Sequence, residues 1–282
     1  MASWFDNERY WGPLLFVVNF SNKKNMSVET INLTWEIKSK RIVDEVSLKI
    51  NQGEILTILG PNGAGKSSFL KLIAGDSNAS DGEIKFDNIL LGDISIQDRS
   101  FMRSVMSQSQ EIAYDFSVKE IIEMGWIDRG ISDYSKDFEE AVKKISIECS
   151  VADLLEQSFN TLSGGEKRRV HFARTLIQLW RPSGSDDPRY MFLDEPTANL
   201  DILHEQKMMR LIQNKRDEGI GILLILHDLN LAAKYSDRIA IFNEGKLVEI
   251  GAPKIVLNEE TLSNVYGLEM QIEQDPFRIN YY

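Results

Sequence analysis

Three short stretches of the chain are almost continuously apolar: Ile55–Leu59 (ILTIL), Tyr190–Leu193 (YMFL) and Ile222–Leu226 (ILLIL). Runs this short, rich in β-branched and aromatic side chains, predict strands buried on both faces, as in a parallel sheet covered by helices. The strand-rich pattern starts at Val28 and includes Ser47–Ile50. A helix is predicted over Ser67–Ala74. Between Arg99 and Trp180 the pattern turns mostly helical, as in SVKEIIEMG and DFEEAVKKISIEC. Val170, Ala173, Ile177 and Trp180 recur at helical spacing, so the run from Glu166 reads as an amphipathic helix that Ser163 is placed to cap. RPSGSDDPR (181–189) has loop composition. IAIFNEGKLVEIG reads as a hairpin turning at Asn243-Glu244-Gly245. The order is therefore an α/β part, a helical insertion, then more α/β.

The two ends differ from this body. Residues 1–25 are aromatic-rich without clear periodicity, and NMSVETINLTWEI reads as a fresh beginning at Met26. The expectation is an upstream extension from a misassigned start, the alternative being a loosely packed arm. The tail MQIEQDPFRINYY reads as either a final strand or an ordered arm.

Composition narrows the class. A chain of 282 residues, 43% hydrophobic and 27% charged, suits a globular protein of one large or two small domains. A net charge of −11 argues against nucleic acid as partner. Cys149 is the single cysteine, so no intrachain disulfide can form, which fits a reducing compartment. It reads as a small helix residue. Three histidines are too few and scattered for a metal cluster. PLLFVVNF (13–20) is the nearest approach to a membrane span and is too short, while Asp6 and Glu8 are wrong for a signal peptide. The expectation is a cytosolic protein, or one docked on a membrane through a partner.

The candidate chemistry lies at the ends of the predicted strands. GPNGAGKSS (60–68) follows the strand and opens the helix. Gly60, Pro61, Asn62, Gly63, Ala64 and Gly65 form a loop whose backbone N–H groups can close around phosphates. Lys66 would reach the β- and γ-phosphates and Ser67 would ligate Mg²⁺. In YMFLDEP, Asp194 ends a strand and is suited to hold Mg²⁺, and Glu195 is a candidate base for an attacking water. His227 follows the next buried strand, so Gly60, Asp194 and His227 should share the carboxyl edge of one sheet, where α/β folds bind ligands. TLSGGEKRRVHFARTL (161–176) holds a second anion cradle, the helix start at Ser163, Gly164 and Gly165. Gln108, in SVMSQSQE, is weak by itself.

In this order the phosphate loop, LSGGE, MFLDEP, ANLD and His227 resemble the ATPase subunits of ABC transporters across residues 28–251. LSGGE is the most specific of these marks. The resemblance implies an α/β P-loop NTPase fold with a parallel or mixed sheet core, an antiparallel β part and a helical subdomain. It places an ATPase domain over 26–252 with the helical subdomain at about 99–180, leaving 253–282 as a tail. It also accounts for two cradles in one chain. Two copies of the family's cassette meet head to tail, and the phosphate loop of one and the Ser163–Gly165 helix start of the other sandwich one ATP. The implied cofactors are ATP and Mg²⁺. Ser68 would support the phosphate, Gln108 would approach Mg²⁺ and sense the membrane partner, Glu195 would be the catalytic base, His227 the γ-phosphate switch, and Asp201 would couple the two sites. Two departures stand out. Ile37, with Trp35 nearby, occupies the place where the family often stacks an aromatic residue on adenine. Lys167 and Arg168 replace its usual glutamine pair, which is expected to leave γ-phosphate binding intact.

FSVKEIIEMG (116–125) and the stretch from His227 to Gly267 resemble importers of iron chelates, heme and cobalamin. LIQLWRPSGSDDPRYMFLDEP is similar to the heme importers, which carry AQLW and an extended loop before the carboxylate strand. The resemblance implies a peripheral subunit on the cytoplasmic face of the inner membrane. Its partners would be a second copy, an integral membrane permease dimer and, indirectly, a periplasmic heme-binding protein. Ferric siderophore or cobalamin is the alternative cargo. A soluble regulatory ABC ATPase is the alternative of another class.

Overall fold

The computed structural model describes residues 26–108, 112, 114–126, 137–181, 187–275 and 277–281. The expectations for residues 1–25 lie outside the described residues, as does most of the 181–189 loop.

The described chain opens with β1 (Ser27–Ile37) and β2 (Lys40–Asn51). On β2 Val46, Leu48 and Ile50 are buried while Glu45, Ser47 and Lys49 are exposed, the period-two pattern of a strand with one wet face. β3 (Ile55–Leu59) leads to α1 (Lys66–Ala74), followed by β4 (Asp81–Phe86), β5 (Ile89–Leu90), α2 (Ile96–Met102) and β6 (Arg103–Met106). Three helices come next, α3 (Val118–Glu123), α4 (Phe138–Glu148) and α5 (Gly164–Gln178). The α/β pattern resumes with β7 (Tyr190–Asp194), α6 (Ile202–Asp217), β8 (Gly221–Ile225), α7 (Leu229–Tyr235) and the hairpin β9 (Arg238–Asn243) and β10 (Lys246–Gly251). The described chain ends with α8 (Pro253–Val256), α9 (Glu259–Tyr266), β11 (Met270–Gln274) and β12 (Phe277–Tyr281).

The central sheet has six strands in the order β10-β9-β3-β8-β7-β6. β3 is parallel to β8 and β9, β7 is parallel to β8 and β6, and β10 alone is antiparallel, to β9. Every residue of β3, β7 and β8 is buried, as the apolar runs predict. Alternate side chains of these strands feed two cores. Leu56, Ile58, Tyr190, Phe192, Leu223 and Ile225 meet α1 and the antiparallel sheet β2-β1-β4-β5. Ile55, Leu59, Met191, Leu193, Ile222 and Leu224 meet the helices on the other face, with Ile121, Val142, Phe172 and Met209. The α/β architecture with a mixed sheet core, an antiparallel part and a helical part is as expected.

Two elements differ from the sequence reading. Arg103–Met106 is a strand within the stretch read as helical. It pairs in parallel with β7, Arg103 opposite Tyr190 and Met106 opposite Leu193. Four residues show no period, and the pairing, not local propensity, makes them a strand. The tail is neither a lone strand nor an arm but the hairpin β11–β12, with Met270 and Ile279 buried in the helical-side core. The side chain of Asn230, on α7, brackets Ile279: its amide donates to the Ile279 carbonyl (3.1 Å) and its oxygen accepts the Ile279 N–H (2.8 Å).

Candidate ATP site

Gly60 leaves β3 at φ 146°, and a Cβ there would sit 2.1 Å from the carbonyl oxygen of Phe242 on β9. Only glycine lets the loop pass this close to the neighbouring strand. Gly65, at φ 95°, caps α1 without a side-chain hydrogen bond, so the first N–H groups of the helix are left for an anion. Lys66 is buried, and its ammonium donates to the carbonyls of Gly60 (2.7 Å) and Pro61 (2.9 Å). Burial lowers its pKa, while Glu195 and Asp194 pull it back up. A cation parked on loop carbonyls can exchange them for phosphate oxygens.

Asp194 ends β7, buried. Burial pushes its carboxyl above the ordinary aspartate value; a hydrogen bond from the Ser67 hydroxyl opposes that push and the Glu195 charge adds to it. Among the described residues, Asp194 Oδ1 has no hydrogen-bond partner. A buried carboxylate oxygen left open beside a serine hydroxyl fits a hard cation such as Mg²⁺.

Glu195 has φ 51°, left-handed geometry uncommon for a non-glycine residue, held by its N–H donating to the Ile225 carbonyl (3.1 Å). Its two carboxylate oxygens face two different elements. Oε2 accepts from Gln108 Nε2 at 3.1 Å, and Oε1 lies 2.5 Å from His227 Nε2. Lys66, Ser67, Gln108, Asp194, Glu195 and His227 are thus joined by direct hydrogen bonds or close charge interactions at the carboxyl edge of the central sheet, the edge at which the sequence places Gly60, Asp194 and His227.

The second cradle is built separately. Ser163 caps α5 in a capping box with Glu166, whose carboxylate accepts the Ser163 N–H (2.8 Å) and hydroxyl (2.7 Å). Gly165 packs against the Asn199 carbonyl and Leu200, and a Cβ on Gly164 would meet nothing within 4 Å. Asp201 caps α6, accepting the His204 N–H at 2.8 Å, and Ile202 and Leu203 beyond it are exposed apolar residues. Ile37 is exposed at the end of β1, whereas Trp35 is half-buried against the core. Cys149, read as a small helix residue, is buried at the C-cap of α4, and burial raises its thiol pKa.

Arg168 is the residue whose role the sequence reading missed. Its guanidinium turns inward and donates to the carbonyls of Gln108, Asp194, Glu195 and Pro196. The signal was present: Arg168 lies four and eight residues before the core residues Phe172 and Leu176, a charge on the apolar stripe of α5.

Comparison with known proteins decides the family. Residues 43–198 match the ABC transporter family model. The chain is 40% identical over 246 residues to the hemin import ATP-binding protein HmuV of Escherichia coli O157:H7, covering 87% of this chain and 94% of the relative. The chain belongs to the ABC transporter ATP-binding family. This ABC ATPase is also 37% identical over 235 residues to the protein of the same name from Gloeobacter violaceus, covering 83% of this chain and 85% of the relative. Two solved structures share its fold. A nucleotide-free ATP-binding cassette from an ABC transporter has a TM-score of 0.69 at 23% identity, covering 86% of this chain and 96% of that one. An ATP-binding subunit of an ABC transporter has a TM-score of 0.73 at 21% identity, covering 86% and 98%. Among the described residues no helix is long and apolar enough to cross a membrane.

Proposed function

We propose that this ABC ATPase hydrolyses ATP to drive import of heme across the cytoplasmic membrane. It works as a head-to-tail dimer docked on the cytoplasmic face of a permease dimer, which a periplasmic heme-binding protein supplies. The observation that carries the hydrolytic part is the placement of Glu195, held between Gln108 and His227 next to Asp194, Ser67 and Lys66. The cargo rests on the relatives' name and on the resemblance of the segment from Leu176 to Pro196 to heme importers.

Lys66 transfers its ammonium from the Gly60 and Pro61 carbonyls to the β- and γ-phosphates of ATP, whose other oxygens take the open N–H groups at the start of α1, with Ser68 beside them. Ser67, Asp194 and Gln108 would hold Mg²⁺, which supplies neutralisation of the phosphate charge. Glu195 takes the proton of the attacking water on a carboxylate oxygen. In the conformation seen here each of those oxygens has one contact, to Gln108 or to His227, and keeps a second lone pair that can hold the water. His227 is exposed and free to turn to the γ-phosphate. The partner's Ser163–Gly165 helix start closes the site from the opposite side, and Ile202 and Leu203 of each copy are covered by the other. Ile37 offers an apolar face to adenine.

Growth of the source organism on hemin as sole iron source, in a strain carrying Lys66→Ala, tests the proposal, with a ferric-siderophore control. Loss on hemin alone is expected. Loss on siderophore alone would replace the cargo, and growth on both would count against a role in iron import.

A further inference from the structure

Arg168 is 8% exposed, and its guanidinium donates to four backbone carbonyls. Nε donates to Pro196 (3.2 Å), one terminal nitrogen to Gln108 (2.8 Å), and the other to Asp194 (2.6 Å) and Glu195. A guanidinium carries five N–H donors in a rigid plane, so a single side chain fixes the relative positions of these four peptide units. They belong to the loop after β6 and to the end of β7, the backbone that aims the Gln108 and Glu195 side chains. Arg168 itself rides on α5, five residues after the Ser163 cap, about 7.5 Å along a stiff helix. The same helix start packs through Gly165 on Asn199, four residues beyond Glu195.

We propose that Arg168 is a positioning residue that ties the start of α5, which meets the partner's nucleotide, to the carbonyls of Gln108 and Glu195 in its own site, so that ATP bound at one site of the dimer sets the catalytic geometry of the other. The inference rests on the head-to-tail reading above. A displacement of the α5 start moves the guanidinium with it, and the fork passes that movement to the backbone beneath Glu195. A lysine at this position would keep the charge but lose the fork. A methionine would keep an unbranched chain and lose every donor.

The test compares full-length wild type, Arg168→Met and Arg168→Lys, with Glu195→Gln alongside. The measurements are MgATP dependence of steady-state hydrolysis, binding of a fluorescent ATP analogue and thermal melting. The wild type is expected to hydrolyse ATP cooperatively. Arg168→Met should lose about tenfold or more in kcat and lose cooperativity, while analogue affinity stays within about twofold. Arg168→Lys should fall between the two. Unchanged kcat and cooperativity in Arg168→Met overturns the proposal, as does a non-cooperative wild type. A fall in kcat that follows loss of folded protein in both variants overturns it as well, because the residue is then structural only. Rapid turnover by Glu195→Gln would instead strike at the base assignment and leave the Arg168 comparison readable.

Discussion

His227 Nε2 lies 2.5 Å from Glu195 Oε1, so the second residue after β8 and the first after β7 share one contact at the edge of the central sheet. The contact orients the carboxylate while Gln108 holds its other oxygen. His227→Ala should lower kcat by about a hundredfold, with KM for MgATP changed far less, because the γ-phosphate loses the side chain that turns to it while the loop and Lys66 that bind ATP are untouched. Steady-state kinetics separate the two parameters.

Lys66 is the cation of the cradle, already stripped of most of its water and bonded to loop carbonyls. Lys66→Ala should weaken ATP binding at least tenfold, as loss of a charge-assisted bond to phosphate does. Titration with a fluorescent ATP analogue reads this directly, and normal affinity would contradict the cradle assignment.

Asp194 has its carboxyl pKa raised by burial, and its Oδ1 is unpartnered among the described residues. A raised native pKa means that the fold favours the protonated acid. The associated stability is present below the ordinary aspartate value and is lost as pH rises through the raised one. Asp194→Asn removes the ionisation. Without nucleotide or Mg²⁺, it should melt a few degrees above wild type near neutral pH, the shift that about 1 kcal/mol makes in a chain of this size. The gap should close on acidification toward the ordinary aspartate range. The same variant should lose Mg²⁺-dependent hydrolysis. Melting curves across pH check the first part.

Ile279 is buried in the core on the helical side, and its backbone is bracketed by Asn230 of α7, three residues after His227. Ile279→Ala should destabilise the protein by about 2–5 kcal/mol through lost burial and the cavity left behind. Urea denaturation measures this, and a change within error would mean that the tail hairpin is not part of the cooperative core.

Legibility from sequence followed the physics of each element. Ile55–Leu59, Tyr190–Leu193 and Ile222–Leu226 were readable because a strand covered on both faces has no polar positions to hide it. The meeting of Lys66, Asp194, Glu195 and His227 was readable because they follow those strands, beside a glycine loop whose spacing has a mechanical reason, whereas Gln108 follows the unread strand β6. Arg103–Met106 was not readable, since its strand state comes from β7 and not from its own four residues. The tail hairpin was hidden for a similar reason: among its described residues Met270 and Ile279 are buried, with Ile272 and Phe277 partly buried beside them, too few to set a pattern. Arg168 was read only as a replacement of a usual glutamine, with no contact of its own. Lysine and arginine are mostly exposed, and only the helical phase shared with Phe172 and Leu176 marks this one as turned inward.

The central claim is that Glu195 is the base and that two copies close on ATP. The most direct measurement is the molar mass of full-length Glu195→Gln by light scattering, in saturating ATP and in ADP, with hydrolysis followed in the same samples. The account predicts an ATP-bound dimer, about twice the monomer mass, that persists because turnover is blocked, and its dissociation in ADP. Turnover near the wild-type rate, or a mass that ATP does not change, would contradict it.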